Sequence, residues 1–148
     1  AIESAGYQVM FNTFGAHPSA CAAAVEGLTI MREEELVERA ATQGAYLHNQ
    51  LSLAFSDHPF VAEVRGRGLL AAIEVVADRS TLDRFPQELS VSNQIVAEGL
   101  DRGVFYYFGG TGEVRDVVCL GPAFTATNSE IDQMVDVLVQ SVTAAVGN

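Results

Sequence analysis

The stretch that decides the fold is residues 60–76, which read FVAEVRGRGLLAAIEVV. Two runs rich in Val, Leu and Ile, residues 60–65 and 69–76, flank the short spacer Gly66-Arg67-Gly68. Apolar runs of this length that are separated by glycines are typical of paired strands, so the pattern predicts a hairpin or a bulged pair. The second run is almost continuously apolar, which favours a strand that is mostly buried. These residues therefore predict the start of a β-sheet.

Two helices are predicted before this pair of strands. Pro18 opens the first one, because proline lacks an N–H that the first helical turn does not need. The apolar residues of this helix recur with helical spacing, and they are Cys21, Val25, Leu28 and Met31. A second apolar stripe runs from Leu36 to Leu51 among charged and polar residues, which predicts an amphipathic surface helix. Pro59 ends it, since the residue before a proline disfavours helical geometry.

The next part of the chain predicts one more helix and two strands. Residues 77–89 are polar and contain a proline, so a loop or a short irregular helix is expected there. A helix is predicted over 92–102, a strand over 104–108, a mobile turn at 109–112 and a second strand over 116–120.

The final helix has the clearest start signal. Thr127 and Glu130 stand at the spacing of a capping box, in which the two side chains satisfy backbone N–H groups of the first helical turn. Apolar residues then recur with helical spacing down to Val142. Helices and strands in this order, with neither an internal repeat nor a linker, predict one α/β unit in which helices pack on a partly antiparallel sheet.

Composition excludes several classes of partner. The chain has 148 residues, of which 49% are hydrophobic and 18% charged, as in an ordinary globular protein. Its formal net charge of −11 repels phosphate backbones and anionic lipids, so neither nucleic acid nor a membrane is expected as a partner. No apolar run is long enough to span a bilayer and no secretory signal opens the chain, so a cytoplasmic location is expected.

All 8 basic residues are arginines, and the chain has no lysine. Chemistry that needs a side-chain amine, such as a Schiff base, therefore requires a lysine from elsewhere. Cys21 and Cys119 are too few for a disulfide framework or a metal site, which favours buried free thiols in a reducing compartment. His17 has no second metal-binding residue at a suitable spacing, so no metal site is predicted.

Several residues have a sequence context that suits an anion. Thr13 precedes the helix that Pro18 opens, and a hydroxyl beside free backbone N–H groups suits phosphate, unless Thr13 only bonds its own turn. Arg115 follows a glycine-rich turn, so it either meets an anionic substrate or is an exposed turn charge. Arg65 and Arg67 either clamp a carboxylate or pair with neighbouring acids in the hairpin.

A resemblance to one family extends over nearly the whole chain. Residues 12–24, NTFGAHPSACAAA, resemble the T-[FY]-x-[GA]-[HN]-P-x-A-x-A-A segment of the class III (ω-type) pyridoxal-phosphate aminotransferases. The resemblance continues in the family's order through residues 35–40, 64–70, 99–104 and 120–124. One position departs from the pattern, because Ala123 follows Pro122 where a second proline is usual, and this relaxes one backbone angle.

The resemblance implies a fold and a division into domains. The architecture is expected to be that of fold type I pyridoxal-phosphate enzymes, with residues 1–17 at the end of the large cofactor domain. Residues 18–148 are then the interdomain helix and the C-terminal small domain. The family's cofactor-binding lysine lies in the large domain, so this chain is expected to be a C-terminal fragment, inactive alone and with no catalytic residue. Without that domain, the helix from Pro18 to Met31 should expose apolar surface.

The resemblance also implies an activity and site residues. Members of the family transfer an amino group between an amine or ω-amino acid and a keto acid, act as homodimers and bind pyridoxal 5'-phosphate. Thr13, with Phe14, matches the position that binds the cofactor phosphate held by the other subunit, and Arg115 is the candidate for the substrate carboxylate. The alternatives are a fragment of a same-family aminomutase, racemase or decarboxylase, or a non-catalytic stand-alone binding or assembly module.

Overall fold

The strand pair predicted around the glycine spacer is present in the computed structural model. Strand β1 (Val61–Arg67) pairs antiparallel with strand β2 (Leu70–Val75). The two strands form a hairpin whose register shifts between Val61 and Glu63, so the prediction of a hairpin or a bulged pair is confirmed. The chain reverses at residues 68–69, where Gly68 has a φ of 56°, and Gly66 within β1 has a φ of 144°; residues with side chains rarely adopt either angle, which accounts for glycine at both positions.

The structure describes Thr13 and residues 15–112 and 114–147. The elements other than β1 and β2 are, in chain order, α1 (Pro18–Glu33), α2 (Leu36–Phe55), a 3-10 turn (Gln87–Leu89), α3 (Val91–Asp101), β3 (Tyr107–Thr111), β4 (Val114–Leu120) and α4 (Asn128–Val146). The four predicted helices are thereby confirmed, and α2 ends before Pro59 as predicted. Within the described part of the chain, each helix is too short or too polar to cross a membrane.

The strands form one sheet in the order β1-β2-β4-β3. Each described pair of neighbours is antiparallel. Because β2 and β3 both run antiparallel to β4, they are parallel to each other with β4 between them, and α3 lies on the connection from one to the other. This is a split βαβ arrangement. The predicted combination of helices with a sheet is confirmed; the sheet was expected to be partly antiparallel, and each described pair of neighbours is antiparallel.

The third strand lies later in the chain than the sequence predicts. A strand was expected over 104–108 and a turn at 109–112, but β3 runs from Tyr107 to Thr111 and includes the first two glycines of that turn. Strand β4 likewise begins at Val114, before the predicted start at residue 116. The prediction of these boundaries was therefore wrong, although both strands exist.

Two contacts explain the shift. Tyr106 is drawn into the core, where its hydroxyl donates a hydrogen bond to the carbonyl oxygen of Met134 at 2.6 Å. A side chain at Gly109 would place its Cβ 2.7 Å from the Sγ of Cys119, so pairing this close to β4 requires a residue with no side chain. The glycines that predict a turn therefore serve the strand instead.

The hydrophobic core lies among the sheet, α3, α4 and the second half of α2. Helix α3 packs on α4 and against β3 and β4. Each side chain that is fully buried here contributes about 1.5–3 kcal/mol to folding. The largest of them are Leu47, Leu51, Ile73, Ile95, Tyr106, Ile131 and Leu138.

The chain divides into two compact units, Ala1–Val37 and Glu38–Asn148. The core described above belongs to the second unit. In the first unit, none of the residues of α1 is buried, and Val25 and Leu28 are 65% and 67% exposed. The expectation that this helix exposes apolar surface is confirmed. Cys21 of the same helix is exposed and Cys119 is only partly buried, so the expectation of buried thiols was wrong.

Candidate functional site

The segment before α1 presents hydrogen-bond donors to solvent. Thr13 is exposed, and it lies with Gly15 and Ala16 in turns that lead into the helix. His17 is the N-cap residue but makes no side-chain cap hydrogen bond, and Pro18 follows it. With no such cap, the N–H groups of the first turn are available for an external acceptor.

The electrostatics of this segment fit the phosphate of pyridoxal phosphate. The first turn of α1 carries no acidic residue, and the first acid in the helix is Glu26. Ala16 has a φ of 59°, in the left-handed region, which costs a residue with a side chain about 1 kcal/mol. Phe14, the second residue predicted to bind the cofactor, lies outside the described residues.

Arg115 lies on strand β4 and is half-buried. Its Nη2 donates a hydrogen bond to the carbonyl oxygen of Phe85 at 3.1 Å, which ties β4 to the loop before the 3-10 turn. Its Nε is buried and has no hydrogen-bond partner among the described residues. A guanidinium group with an unused donor retains capacity for a carboxylate.

Arg65 and Arg84 form a network of ion pairs through Glu74. Arg65 Nη1 lies 2.8 Å from Glu63 Oε2 and 2.7 Å from Glu74 Oε2. Arg84 Nη2 lies 3.2 Å from the other carboxylate oxygen of Glu74. The hydrogen bond that Arg65 donates to Glu74 is the main reason that the pKa of Arg65 is raised. Of the two alternatives left open by the sequence, Arg65 therefore pairs with neighbouring acids.

Asp116 is a buried carboxyl group that the sequence interpretation did not single out. It is 4% exposed, and burial raises its pKa, while the backbone N–H of Ser92 and the charges of Arg115 and Arg84 act in the opposite direction. Ser92 lies in the first turn of α3, where a negative charge is favourable. An acid that directly precedes the apolar run of residues 117–120 in a strand is the signal that points to such a residue.

The predicted site residues belong to different parts of the chain. Thr13 is in the unit Ala1–Val37, and Arg115 is in the unit Glu38–Asn148 together with Arg65, Arg84 and Asp116. Among the described residues, no group of three or more His, Cys, Asp or Glu side chains is placed to hold a metal ion. What the arrangement offers is hydroxyl, backbone N–H and guanidinium donors, which bind phosphate and carboxylate groups.

Comparison with known proteins identifies the family. The model of the class III aminotransferases matches residues 4–142, so the chain belongs to this family. An uncharacterized aminotransferase of Schizosaccharomyces pombe is 42% identical to it over 139 residues, which cover 92% of this chain and 30% of the relative.

Solved structures of transaminases share the fold. A transaminase from work on directed evolution by ancestral reconstruction superposes with a TM-score of 0.88 at 34% identity and covers 99% of this chain. The ω-transaminase of Pseudomonas jessenii in complex with PMP superposes with a TM-score of 0.82 at 30% identity, again over 99% of this chain. This chain spans 31% and 32% of those two chains, so it corresponds to about a third of such a protein.

Proposed function

We propose that this chain is the C-terminal part of a pyridoxal-phosphate-dependent aminotransferase that transfers an amino group between an amine or ω-amino acid and a keto acid. The observation that carries the proposal is the family match over residues 4–142. The similar ω-transaminase of Pseudomonas jessenii, whose structure contains PMP, supports the choice of cofactor. When bound, this cofactor supplies the carbonyl group that accepts the amine and the electron sink for its transfer.

The absence of lysine supports a whole enzyme in which another domain supplies the catalytic amine. This family's chemistry needs a lysine amine, and the chain has none, so the amine comes from a cofactor domain outside this chain. In this proposal, residues 1–17 end that domain, and residues 18–148 are the interdomain helix and the small domain. The chain then contributes binding groups and no catalytic residue.

Thr13 is proposed to bind the cofactor phosphate, with Phe14 beside it. The exposed hydroxyl of Thr13 and the uncapped first turn of α1 form a donor set that matches a dianion. In a homodimer, this segment would reach the phosphate held by the partner subunit. Arg115 is proposed to bind the substrate carboxylate through its guanidinium group, whose Nε has no hydrogen-bond partner among the described residues.

The first experiment compares this chain with the protein encoded by its complete reading frame. This chain alone is expected to show no amino transfer between alanine and pyruvate. After incubation with the cofactor, borohydride reduction and dialysis, it should retain no cofactor absorbance. The complete protein should be active with at least one donor from a panel of amines. A cofactor covalently trapped on the 148-residue chain at any position other than its N-terminal amine contradicts the proposal.

The second experiment tests the two binding residues in the complete protein. Replacing Thr13 by Ala should weaken cofactor binding by about tenfold, whereas Thr13→Ser keeps the hydroxyl and should bind normally. Replacing Arg115 by Gln should raise KM for the keto acid by about tenfold or more, because a hydrogen bond to a charged group is lost. Arg102→Gln is the control, since Arg102 pairs with Glu98 on the surface of α3.

The exposed apolar residues of α1 favour a second candidate, a binding or assembly module. A helix with Val25 and Leu28 exposed is expected to cause self-association of the 148-residue chain. Light scattering over a range of concentrations tests this. A strict monomer at high concentration argues against the module, and activity of the complete protein decides for the enzyme.

A further inference from the structure

Two arginines of the second unit have buried N–H groups for which the described part of the chain offers no acceptor. These groups are Nη1 of Arg84 and Nε of Arg115. A buried donor without a partner is rare in folded proteins, because it has lost its hydrogen bonds to water and gained none in return. Two such donors on charged side chains point to an acceptor that the described chain does not itself provide.

The contacts of the two side chains place them at one location. Arg115 Nη2 donates a hydrogen bond at 3.1 Å to the carbonyl oxygen of Phe85, the residue that directly follows Arg84. Arg84 Nη2 in turn donates to Oε1 of Glu74 at 3.2 Å. Glu74 is paired across the sheet with Val117, which is two residues from Arg115 on β4. Both guanidinium groups therefore lie where the loop before the 3-10 turn contacts β4.

The described acids around these two arginines already have other partners. Glu74 accepts from Arg84 with one carboxylate oxygen and from Arg65 with the other, at 3.2 and 2.7 Å. Asp116 is buried nearby, but the hydrogen bond that it accepts comes from the backbone N–H of Ser92, and it interacts with the two arginines only through charge. Neither acid therefore takes up the buried donor of either arginine.

The loop that carries Arg84 is held in place by its own contacts. The N–H of Ala77 donates to the carbonyl oxygen of Asp83 at 2.7 Å, which closes the loop just before Arg84. On the other side, the ring of Phe85 lies 6.1 Å from the ring of Phe60 and packs against the core. An arginine on an anchored backbone is preorganised for binding, because less conformational entropy remains to be lost when a ligand arrives.

We propose that Arg84 and Arg115 form one carboxylate-binding site, in which the acid group of the keto acid lies between two guanidinium groups. The choice of a keto acid rests on the proposed function, in which Arg115 alone binds this group, and Arg84 is the new residue. The Arg84 side chain is 29% exposed and Arg115 is half-buried, so a ligand reaches both from solvent. A carboxylate has two oxygens, and each arginine supplies N–H donors to one of them.

An NMR titration of the 148-residue chain with pyruvate tests the site without any activity. The chain should bind pyruvate and should not bind methyl pyruvate, the ester that lacks the negative charge. Arg84→Gln and Arg115→Gln should each raise the Kd for pyruvate about tenfold or more, because a hydrogen bond to a charged group is lost. Arg102→Gln, which removes a surface ion pair of α3, is the control and should bind normally. A wild type that does not bind pyruvate, or binds the ester equally well, overturns the site.

The variant Arg84→Lys separates a binding role from a structural one. Lysine keeps the positive charge beside Glu74 and hence the ion pair, but it lacks the planar fork that matches a carboxylate. The Kd for pyruvate should therefore rise nearly as much as in Arg84→Gln, while the urea midpoint stays at the wild-type value. If Arg84→Lys binds pyruvate within twofold of the wild type, the two-arginine site is overturned.

Acceptor choice in the complete protein tests the same site during the reaction. The ratio of kcat/KM for pyruvate to that for methyl pyruvate should fall about tenfold in Arg84→Gln, through KM and with kcat nearly unchanged. An unaltered ratio in an active variant overturns the role of Arg84 and leaves the aminotransferase proposal standing. A complete protein that is inactive with every donor overturns the aminotransferase proposal, and the titration with pyruvate then decides the carboxylate site by itself.

Discussion

Helices α1 and α4 are both rich in apolar residues, but only α4 buries them. None of the residues of α1 is buried. In α4, by contrast, Ile131, Val135, Val137, Leu138, Ser141 and Val142 are buried. The two helices also start differently: a complete capping box opens α4, whereas the N-cap residue of α1 forms no side-chain cap.

The comparison shows that apolar content alone does not place a helix in a core. The apolar residues of α4 share one core with residues of α3 and the sheet. The stability of α4 therefore comes from burial within the second unit. Helix α1 has apolar side chains and open space around them, as expected of a helix that the rest of an aminotransferase covers. This supports the proposal that the chain is one part of a larger protein.

The largest expected effect comes from truncating a leucine in each helix. Leu138 is fully buried in α4, so Leu138→Ala should lower the free energy of unfolding by about 2–5 kcal/mol. Leu28 is 67% exposed in α1, so Leu28→Ala should change it by less than about 0.5 kcal/mol. Urea denaturation followed by circular dichroism measures both. Equal losses in the two variants would mean that α1 is packed in this chain after all.

Replacing a glycine by alanine adds a methyl group, so it tests how much space surrounds a helix. A Cβ at Gly44 in α2 would lie 2.5 Å from the Cα of Gly68, so Gly44→Ala should destabilise the second unit by about 1–3 kcal/mol. At Gly27 in α1 no heavy atom lies within 4 Å of the added Cβ, so Gly27→Ala should stabilise that helix by about 0.5–1 kcal/mol. The two variants are compared by thermal unfolding, and a destabilising Gly27→Ala would show that α1 is closely approached.

Much of the fold follows from local sequence signals. The capping box at Thr127, the hairpin around Gly66 and the stripes of the four helices predict elements that the structure contains, because each depends on residues close together in the chain. The boundary of β3 did not follow, since it is set by contacts of Tyr106 and Gly109 with distant residues. Local glycine statistics favoured a turn there, and tertiary pairing prevailed.

The candidate site was less accessible to sequence reasoning. Residue types indicated that Thr13 and Arg115 suit anions, but the buried Asp116 and the bond from Arg115 to the carbonyl oxygen of Phe85 depend on residues that meet only in the folded chain. Arg115 and Phe85 are 30 positions apart, and nothing in their local sequence predicts the contact. Long-range hydrogen bonds of this kind have no periodic signature.

A smaller effect is expected from the contrast between the two helix starts. The hydroxyl of Thr127 accepts the N–H of Glu130, so Thr127→Ala should cost about 1 kcal/mol. His17 makes no such bond, so His17→Ala should leave the unfolding free energy unchanged within about 0.5 kcal/mol. Thr127→Ser, which keeps the hydroxyl, is the control and should unfold like the wild type. A loss in His17→Ala as large as that in Thr127→Ala would mean that α1 has a cap in solution.

The smallest effect is expected in the pH dependence of the stability of the second unit, through His58, which lies just after α2. His58 lies between Phe55 and Phe60, and burial, followed by the charge of Arg79, lowers its pKa below the ordinary value of 6.5. A lowered pKa means that the folded state favours the neutral ring. The stability that the neutral His58 ring contributes is therefore present above a pH of about 6.5, and it is lost as the pH falls through the folded-state pKa.

This loss should stay below about 1 kcal/mol, because solvent screens a group that is only partly buried. Urea midpoints measured from pH 7.5 to 5 should fall in the wild type. They should fall less in His58→Asn, where the ring that takes up the proton is absent and the remaining slope belongs to the other titrating groups. Parallel slopes in the two proteins would contradict the assignment to His58. A steeper fall in the wild type than in His58→Asn would show that burial in the second unit, which α1 lacks, gives His58 its pH sensitivity.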